Sequence, residues 1–171
     1  MDRKNILLIG FMGTGKSTVS ARLKERLNMK EVDTDALIVN REGMSISDIF
    51  AQKGEEAFRN METALLEALK TEHNLIVSCG GGMALRGTNA AIMKAAGTVV
   101  WLTAEPETIL ERVKDDDSRP LLKGNKNTAF IGDLLEKRRP KYEAAADIAV
   151  ATDHREIEEI CDEIIRRIEE M

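Results

Sequence analysis

Gly10-Phe11-Met12-Gly13-Thr14-Gly15-Lys16-Ser17, directly behind the apolar run Ile6-Leu7-Leu8-Ile9, is the stretch that decides how this chain folds. A glycine, four residues and then Gly-Lys-Ser is the spacing of a phosphate-binding loop, set between a strand and the start of a helix. The turn aims several backbone N–H groups at one anion. Its glycines permit backbone conformations and close approaches that a Cβ would obstruct. Lys16 can reach β and γ phosphates, the Ser17 hydroxyl can ligate Mg²⁺, and the new helix adds the positive end of its dipole. Gly13, Thr14, Gly15, Lys16, Ser17 and Thr18 are therefore the candidate nucleotide contacts.

Around this loop the chain has 171 residues, enough for one domain with a buried core and too few for two ordinary ones. The working parts are thus expected on one sheet, in a single domain 1–171. Apolar residues at 43% and charged residues at 32% give the balance of a soluble globular protein. The opening residues lack the length and cleavage pattern of a signal peptide, and no membrane span is present, so a cytoplasmic location is expected. A formal charge of −5, with basic residues scattered rather than striped, argues against a nucleic-acid surface. Cys79 and Cys161 have no metal-type spacing with each other or with His73 and His154. They read as small buried residues in a reducing compartment.

Behind the loop, Val19, Leu23 and Leu27 put one apolar stripe on a helix from about Lys16 to Leu27. A short strand around Lys30 to Val32 leads into Asp33-Thr34-Asp35 and a further helix. If that stretch is extended, residues two apart point the same way and both carboxylates face one cleft. The other reading is helix capping by Asp35 or Thr34. From Ser45 to about Lys70 the pattern is helical, interrupted at Gly54, with Phe58, Met61, Leu65 and Leu69 as its inward stripe. Glu62 falls within the stripe and Arg59 at its edge, three residues away and within pairing reach. Either this is an inward-facing arginine held by a carboxylate, suited to a substrate carboxylate, or it is a partly solvated surface pair.

Leu75-Ile76-Val77-Ser78 is too hydrophobic for an exposed strand and reads as a central parallel one. It ends in Cys79-Gly80-Gly81-Gly82, where glycines at the carboxyl end of a buried strand would offer bare backbone N–H groups to a ligand. Ser78 occupies the strand position where many phosphate-loop enzymes carry a Mg²⁺-side aspartate, which leaves Asp33 as the nearest candidate acid. A helix to Ala96, a strand Thr98 to Leu102 and a helix entered through Glu105-Pro106-Glu107 follow. The segment at about 114–127 then loses all amphipathic pattern. Arg119-Pro120-Leu121-Leu122 within it suits a mobile lid, with leucines to cover a site and a cation to meet transferring phosphate. On the next helix, about Thr128 to Ala145, Arg138 sits in the middle of the face that carries Ile131 and Tyr142, and Pro140 marks a kink or a short break. A last strand around Ile148 precedes a helix with Ile157, Ile160, Ile164 and Ile168 as its buried stripe.

Together, Asp33-Thr34-Asp35, Gly54-Glu55-Glu56-Ala57-Phe58-Arg59, Gly80-Gly81-Gly82, Arg119-Pro120-Leu121-Leu122 and Arg138-Arg139-Pro140-Lys141-Tyr142 resemble the shikimate kinase family, in order and spacing, from the first strand to the final helix. The resemblance implies an α/β fold of the P-loop NTPase type, nucleoside-monophosphate-kinase-like, three-layer α/β/α with a five-stranded parallel sheet. It implies ATP as co-substrate, one Mg²⁺ ion per subunit and conversion of shikimate to shikimate 3-phosphate by a monomer, with a substrate-binding region at about 33–62. Asp35 would bind the shikimate hydroxyls and accept the proton of the attacking one. Arg59, Gly81, Gly82 and Arg138 would hold the substrate, Ser17 and Asp33 the magnesium, and Lys16 and Arg119 the transferring phosphoryl group. Arg112 would lie against the adenine, with further adenine-side contacts around Thr152-Asp153-His154-Arg155. Met12 and the acidic run Asp115-Asp116-Asp117 depart mildly from the pattern. The rival readings are another small-molecule kinase, for gluconate or a nucleoside monophosphate, and a catalytically silent module that binds shikimate for regulation.

Overall fold

A run of apolar residues buried on both faces can only be a central strand, and β1 (Asn5–Ile9) is one: all five of its residues are buried. The computed structural model describes residues 3–114, 124 and 126–171. In it β1 pairs in parallel with β3 (Leu75–Ser78) on one side and β4 (Gly97–Thr103) on the other. β2 (Lys30–Asp33) and β5 (Ile148–Ala151) complete a five-stranded parallel sheet in the order β2-β3-β1-β4-β5.

Strand alternation sorts the core into two layers. Leu7, Ile9, Val77 and Val99 face α4 (Glu55–Leu69), α5 (Gly87–Ala96) and α7 (Thr128–Ala145), meeting Leu66, Met93 and Tyr142. Ile6, Leu8, Ile76, Val100 and Leu102 face the opposite way, onto Val19 and Leu23 of α1 (Lys16–Leu27) and Ile160 and Ile164 of α8 (Ile157–Glu169). This is the expected three-layer α/β/α arrangement. Two smaller apolar clusters sit toward the carboxyl ends of the strands. Ile38, Ile49, Phe58 and Leu65 bind α2 (Thr34–Glu42) and α3 (Ile46–Lys53) to α4. Phe11, Ile109, Val113 and Ile131 bind the loop after β1 to α6 (Pro106–Val113) and α7.

One local expectation is corrected and one is narrowed. Helix α2 begins at Thr34, so Asp33 and Asp35 do not share one extended stretch; Asp33 is the N-cap, its Oδ1 accepting the Ala36 N–H at 3.0 Å. The cap is therefore neither Thr34 nor Asp35, because the strand ends at Asp33, two residues short of an extended stretch through Asp35. Helix α7 runs on through Pro140 without a break. The expected lid falls mostly on residues 115–123 and 125, outside the described ones. Among the described residues no helix is long and apolar enough to cross a membrane.

One buried amide ties the strand edges together below the site. Asn5, 1% exposed, donates from Nδ2 to the carbonyls of Glu72 at 2.9 Å, Ala96 at 3.0 Å and Leu69 at 3.3 Å. Its Oδ1 accepts the Leu75 N–H at 3.0 Å. Asn5→Ala strands these groups in the core and should lower unfolding stability on the order of 3 kcal/mol, read by urea denaturation. A loss within about 0.5 kcal/mol would mean that these groups find other partners.

Candidate active site

The loop after β1 is shaped by its own hydrogen bonds. Gly10 has φ +148°, and a Cβ there would lie 2.5 Å from the Leu102 carbonyl oxygen of the neighbouring strand. No side chain fits that crossing. The Thr14 hydroxyl donates to the Phe11 carbonyl at 2.8 Å, and Lys16 Nζ curls back over the loop to the carbonyls of Gly10 at 2.7 Å and Phe11 at 3.0 Å. Gly15 caps α1 in the left-handed region. The first amides of α1 lack helical partners and open beside Gly15, Lys16, Ser17 and Thr18, which line a cavity of about 1060 Å³. Gly13 lines it too, whereas Thr14 is buried in the loop with its side chain turned away.

Across the cavity stand the residues read from the middle of the chain. Asp33 and Asp35 both line it despite lying on different elements, as do Arg59, Gly81, Gly82, Arg112 and Arg138. Arg59 Nη1 donates to Glu62 Oε1 at 2.8 Å and its Nη2 lies 3.4 Å from Glu55 Oε1. The inward pair is therefore real, with Glu62 only 1% exposed. Among the described residues, Glu62 Oε2 is the buried side-chain oxygen left without a hydrogen bond. Burial pushes the Glu62 carboxyl up to about 7; Arg59 opposes the rise and the negative field of Asp35 adds to it. Burial also raises the Cys79 thiol at the cavity floor, which keeps it protonated and unreactive.

At Gly80 the glycine run serves a different purpose from the one expected. The Gly80 N–H is not bare: it donates to the Thr34 hydroxyl at 2.9 Å. What these positions supply is space. A Cβ on Gly80 would come within 2.6 Å of Asp35 Oδ1 and 3.1 Å of Glu62 Oε2, and one on Gly82 would fall on the Arg59 guanidinium. Gly81 faces Arg138, whose Nη1 is 3.9 Å from the place its Cβ would take, and the Gly81 carbonyl accepts the Tyr142 hydroxyl at 2.7 Å. Arg138 lies over the Phe11 ring, 5.1 Å from its centroid, which sets the guanidinium between the phosphate loop and the glycines. Consecutive glycines thus each meet one of two arginines on separate helices.

With a phosphate-type loop, two arginines from separate helices and two carboxylates lining one cavity, this site matches a kinase for a small carboxylated substrate. A sequence model of the shikimate kinase family matches residues 12–169. The chain belongs to the shikimate kinase family. The shikimate kinase of Persephonella marina is 47% identical over 96% of this chain and 99% of that one. Among solved structures, a shikimate kinase from Acinetobacter baumannii in complex with shikimate superposes with TM-score 0.90 at 34% identity, over 97% of this chain and 93% of that one. The shikimate kinase of Aquifex aeolicus does so with TM-score 0.82 at 40% identity, over 96% of each chain.

Arg155 stands elsewhere than on the main wall. Arg155 donates to the Ala151 carbonyl at 2.9 Å and pairs with Glu163 at 2.8 Å, beside a second hollow of about 560 Å³ that it shares with Glu107, His154 and Arg112. Arg112 lines both hollows. Arg119 lies outside the described residues. Sequence reasoning missed Thr34 and Tyr142, which hold the glycine run from two sides. A buried tyrosine on a cavity-facing stripe was the available signal for the second; nothing local pointed to the first.

The Glu62 carboxyl gives a pH test. Its folded value near 7 stands above the ordinary 4.5. Between those limits the folded state keeps a proton that the unfolded state releases, so Glu62's contribution falls as pH rises through the window and is flat above it. Wild type should therefore lose stability relative to Glu62→Gln between about pH 5 and about pH 8, in paired urea titrations. The opposite trend would mean that Arg59 outweighs burial.

Proposed function

We propose that this chain transfers the γ-phosphoryl group of ATP to the 3-hydroxyl of shikimate, giving shikimate 3-phosphate and ADP. The observation that carries the reading is the meeting, in one cavity, of the phosphate loop with two arginines: Arg138 lies over Phe11 of that loop beside Gly81, and Arg59 stands against Gly82. A carboxylate bound between two guanidiniums is fixed in direction as well as attracted, which fits one face of a carboxylated ring. The ring hydroxyls then point toward Asp35, at the mouth of α2.

The loop amides and Lys16 hold the ATP phosphates, and the adenosine end runs toward Arg112 and the second hollow near Arg155. The nucleophilic oxygen forms its bond to the γ-phosphorus as the bond to the ADP oxygen breaks, and Asp35 receives the hydroxyl proton. Little covalent work falls on the protein; alignment and neutralisation of charge dominate. Arg119, assigned on resemblance alone, supplies a further cation to the transferring group. Mg²⁺ fits the donors available: Ser17 offers a hydroxyl, and Asp33 keeps Oδ2 while Oδ1 caps α2. Among the described residues no cluster of three or more acidic, His or Cys ligands exists. That suits an ion bound mainly by phosphates and water, with one or two protein oxygens. Held by Ser17 and Asp33, Mg²⁺ would supply neutralisation of the phosphate charge. The reading takes the chain as a monomer, as the family resemblance implies. The buried, unpaired Cys79 and Cys161 suit the reducing cytoplasm where ATP is available.

A coupled ADP-release assay with Mg²⁺-ATP should give strong turnover with shikimate and background with quinate, gluconate and a nucleoside monophosphate. Equal ATPase with all four would sink the substrate assignment. Arg138→Leu should raise the KM for shikimate roughly ten- to hundredfold, the loss of one charge-assisted contact, with the KM for ATP little changed. An unchanged shikimate KM would remove Arg138 from the site.

A further inference from the structure

We propose that Thr152, a buried residue of the loop between β5 and α8, is a positioning residue for the phosphate loop, acting with Arg112 as a brace that fixes the peptide between Thr14 and Gly15. The proposal rests on the nucleotide reading of that loop given above.

Thr152 is 1% exposed, yet none of its polar atoms is idle. Its hydroxyl has the Thr14 carbonyl at 2.9 Å and the Thr103 carbonyl at 3.1 Å. The Thr103 carbonyl already takes Thr152's own N–H at 2.9 Å, so the single hydroxyl hydrogen goes to Thr14. The hydroxyl oxygen in turn accepts from Arg112 Nη1 at 3.1 Å, and the Thr152 carbonyl accepts from Arg112 Nη2 at 3.0 Å. Arg112 Nη1 also reaches the Gly13 carbonyl at 3.0 Å. Two successive carbonyls of the phosphate loop are thus held from outside by one unit.

The peptide plane converts this into an effect on the ligand. In a trans peptide the C=O and N–H point opposite ways. Pinning the Thr14 carbonyl toward Thr152 therefore points the Gly15 N–H away from it, on the side where Gly15 lines the main cavity. Gly15 sits at φ +99°, where only glycine is comfortable. Glycine also lets that peptide rotate with little local resistance, so its orientation must be imposed by a partner. Thr152 is that partner, and it holds the Arg112 guanidinium, which lines both hollows, through Nη1 and Nη2. Phosphate binding and base binding then share one residue.

Thr152→Val keeps the volume and removes the hydroxyl. It should raise the KM for ATP and the Kd for tripolyphosphate about five- to tenfold, the range of one or two lost hydrogen bonds, with the KM for shikimate within about twofold. Thr152→Ser should restore both. Unchanged ATP and tripolyphosphate constants, equal rises in both substrate KM values, or no rescue by serine would each overturn the brace. Should the valine variant not fold, Arg112→Gln, at an exposed position, reads the same unit: tripolyphosphate has no base to stack, so several-fold weaker binding supports the brace and unchanged binding overturns it. A wild-type protein that neither binds tripolyphosphate nor turns over ATP would instead overturn the nucleotide reading, and the brace with it.

Discussion

A backbone loop that turns its amides toward one anion must have its carbonyls satisfied on the other side, and much of this structure follows from that requirement. The carbonyls of Gly10 and Phe11 are met by Lys16, that of Phe11 also by Thr14, and those of Gly13 and Thr14 by Arg112 and Thr152. The last two come from α6 and from the loop after β5, so both elements must lie at the same sheet edge as the loop. Parallel strand order delivers them there: β4 and β5 stack outward from β1, and their carboxyl ends converge on the same side. The close crossing of Gly10 over Leu102 of β4 is the steric counterpart of the same convergence.

The far half of the cavity obeys a different constraint, the cost of burying charge. Arg59 and Glu62 lie on the inner face of α4, where neither would be stable alone. Their pairing leaves Glu62 Oε2 unmatched, and burial, with a smaller contribution from the negative field of Asp35, lifts the Glu62 carboxyl toward neutrality. The site thus carries a carboxyl that changes charge near physiological pH beside a guanidinium whose charge is fixed. The apolar cluster of Ile38, Ile49, Phe58 and Leu65 supports this half separately from the two sheet cores, so its packing is local to α2, α3 and α4.

What could be read from the sequence divides by distance along the chain. Strands announced by unbroken apolar runs, such as Leu75 to Ser78, and helices announced by stripes, such as Val19-Leu23-Leu27, stand where periodicity put them, because burial on one or two faces is a local pattern. The Arg59–Glu62 pair was legible for the same reason, being three residues apart on one helix. The start of α2 was not, since one residue decides whether Asp35 belongs to strand or helix and the cap is chosen by tertiary fit. Thr152 was invisible as a brace because its partner Thr14 is 138 residues away, and no spacing rule spans that gap. Arg112 entered only through the family resemblance, as an expected adenine-side contact, and nothing in the sequence marked it as a donor to the loop itself.

The glycine run shows that one strand end can serve the protein's own packing as well as a ligand. Glycines at the carboxyl end of a central strand suggest exposed amides, and that inference treats the missing side chain as a gain in access for the ligand. Here the space belongs first to the protein. Asp35, Glu62 and Arg59 occupy the volumes that side chains on Gly80 and Gly82 would need, and the Gly80 amide is engaged by Thr34. Three charged groups from two helices can crowd one strand end only if that strand end contributes backbone alone. The density of charge at the site is therefore set by what the strand omits, and an alanine at Gly82 would act on Arg59 before it touched any ligand.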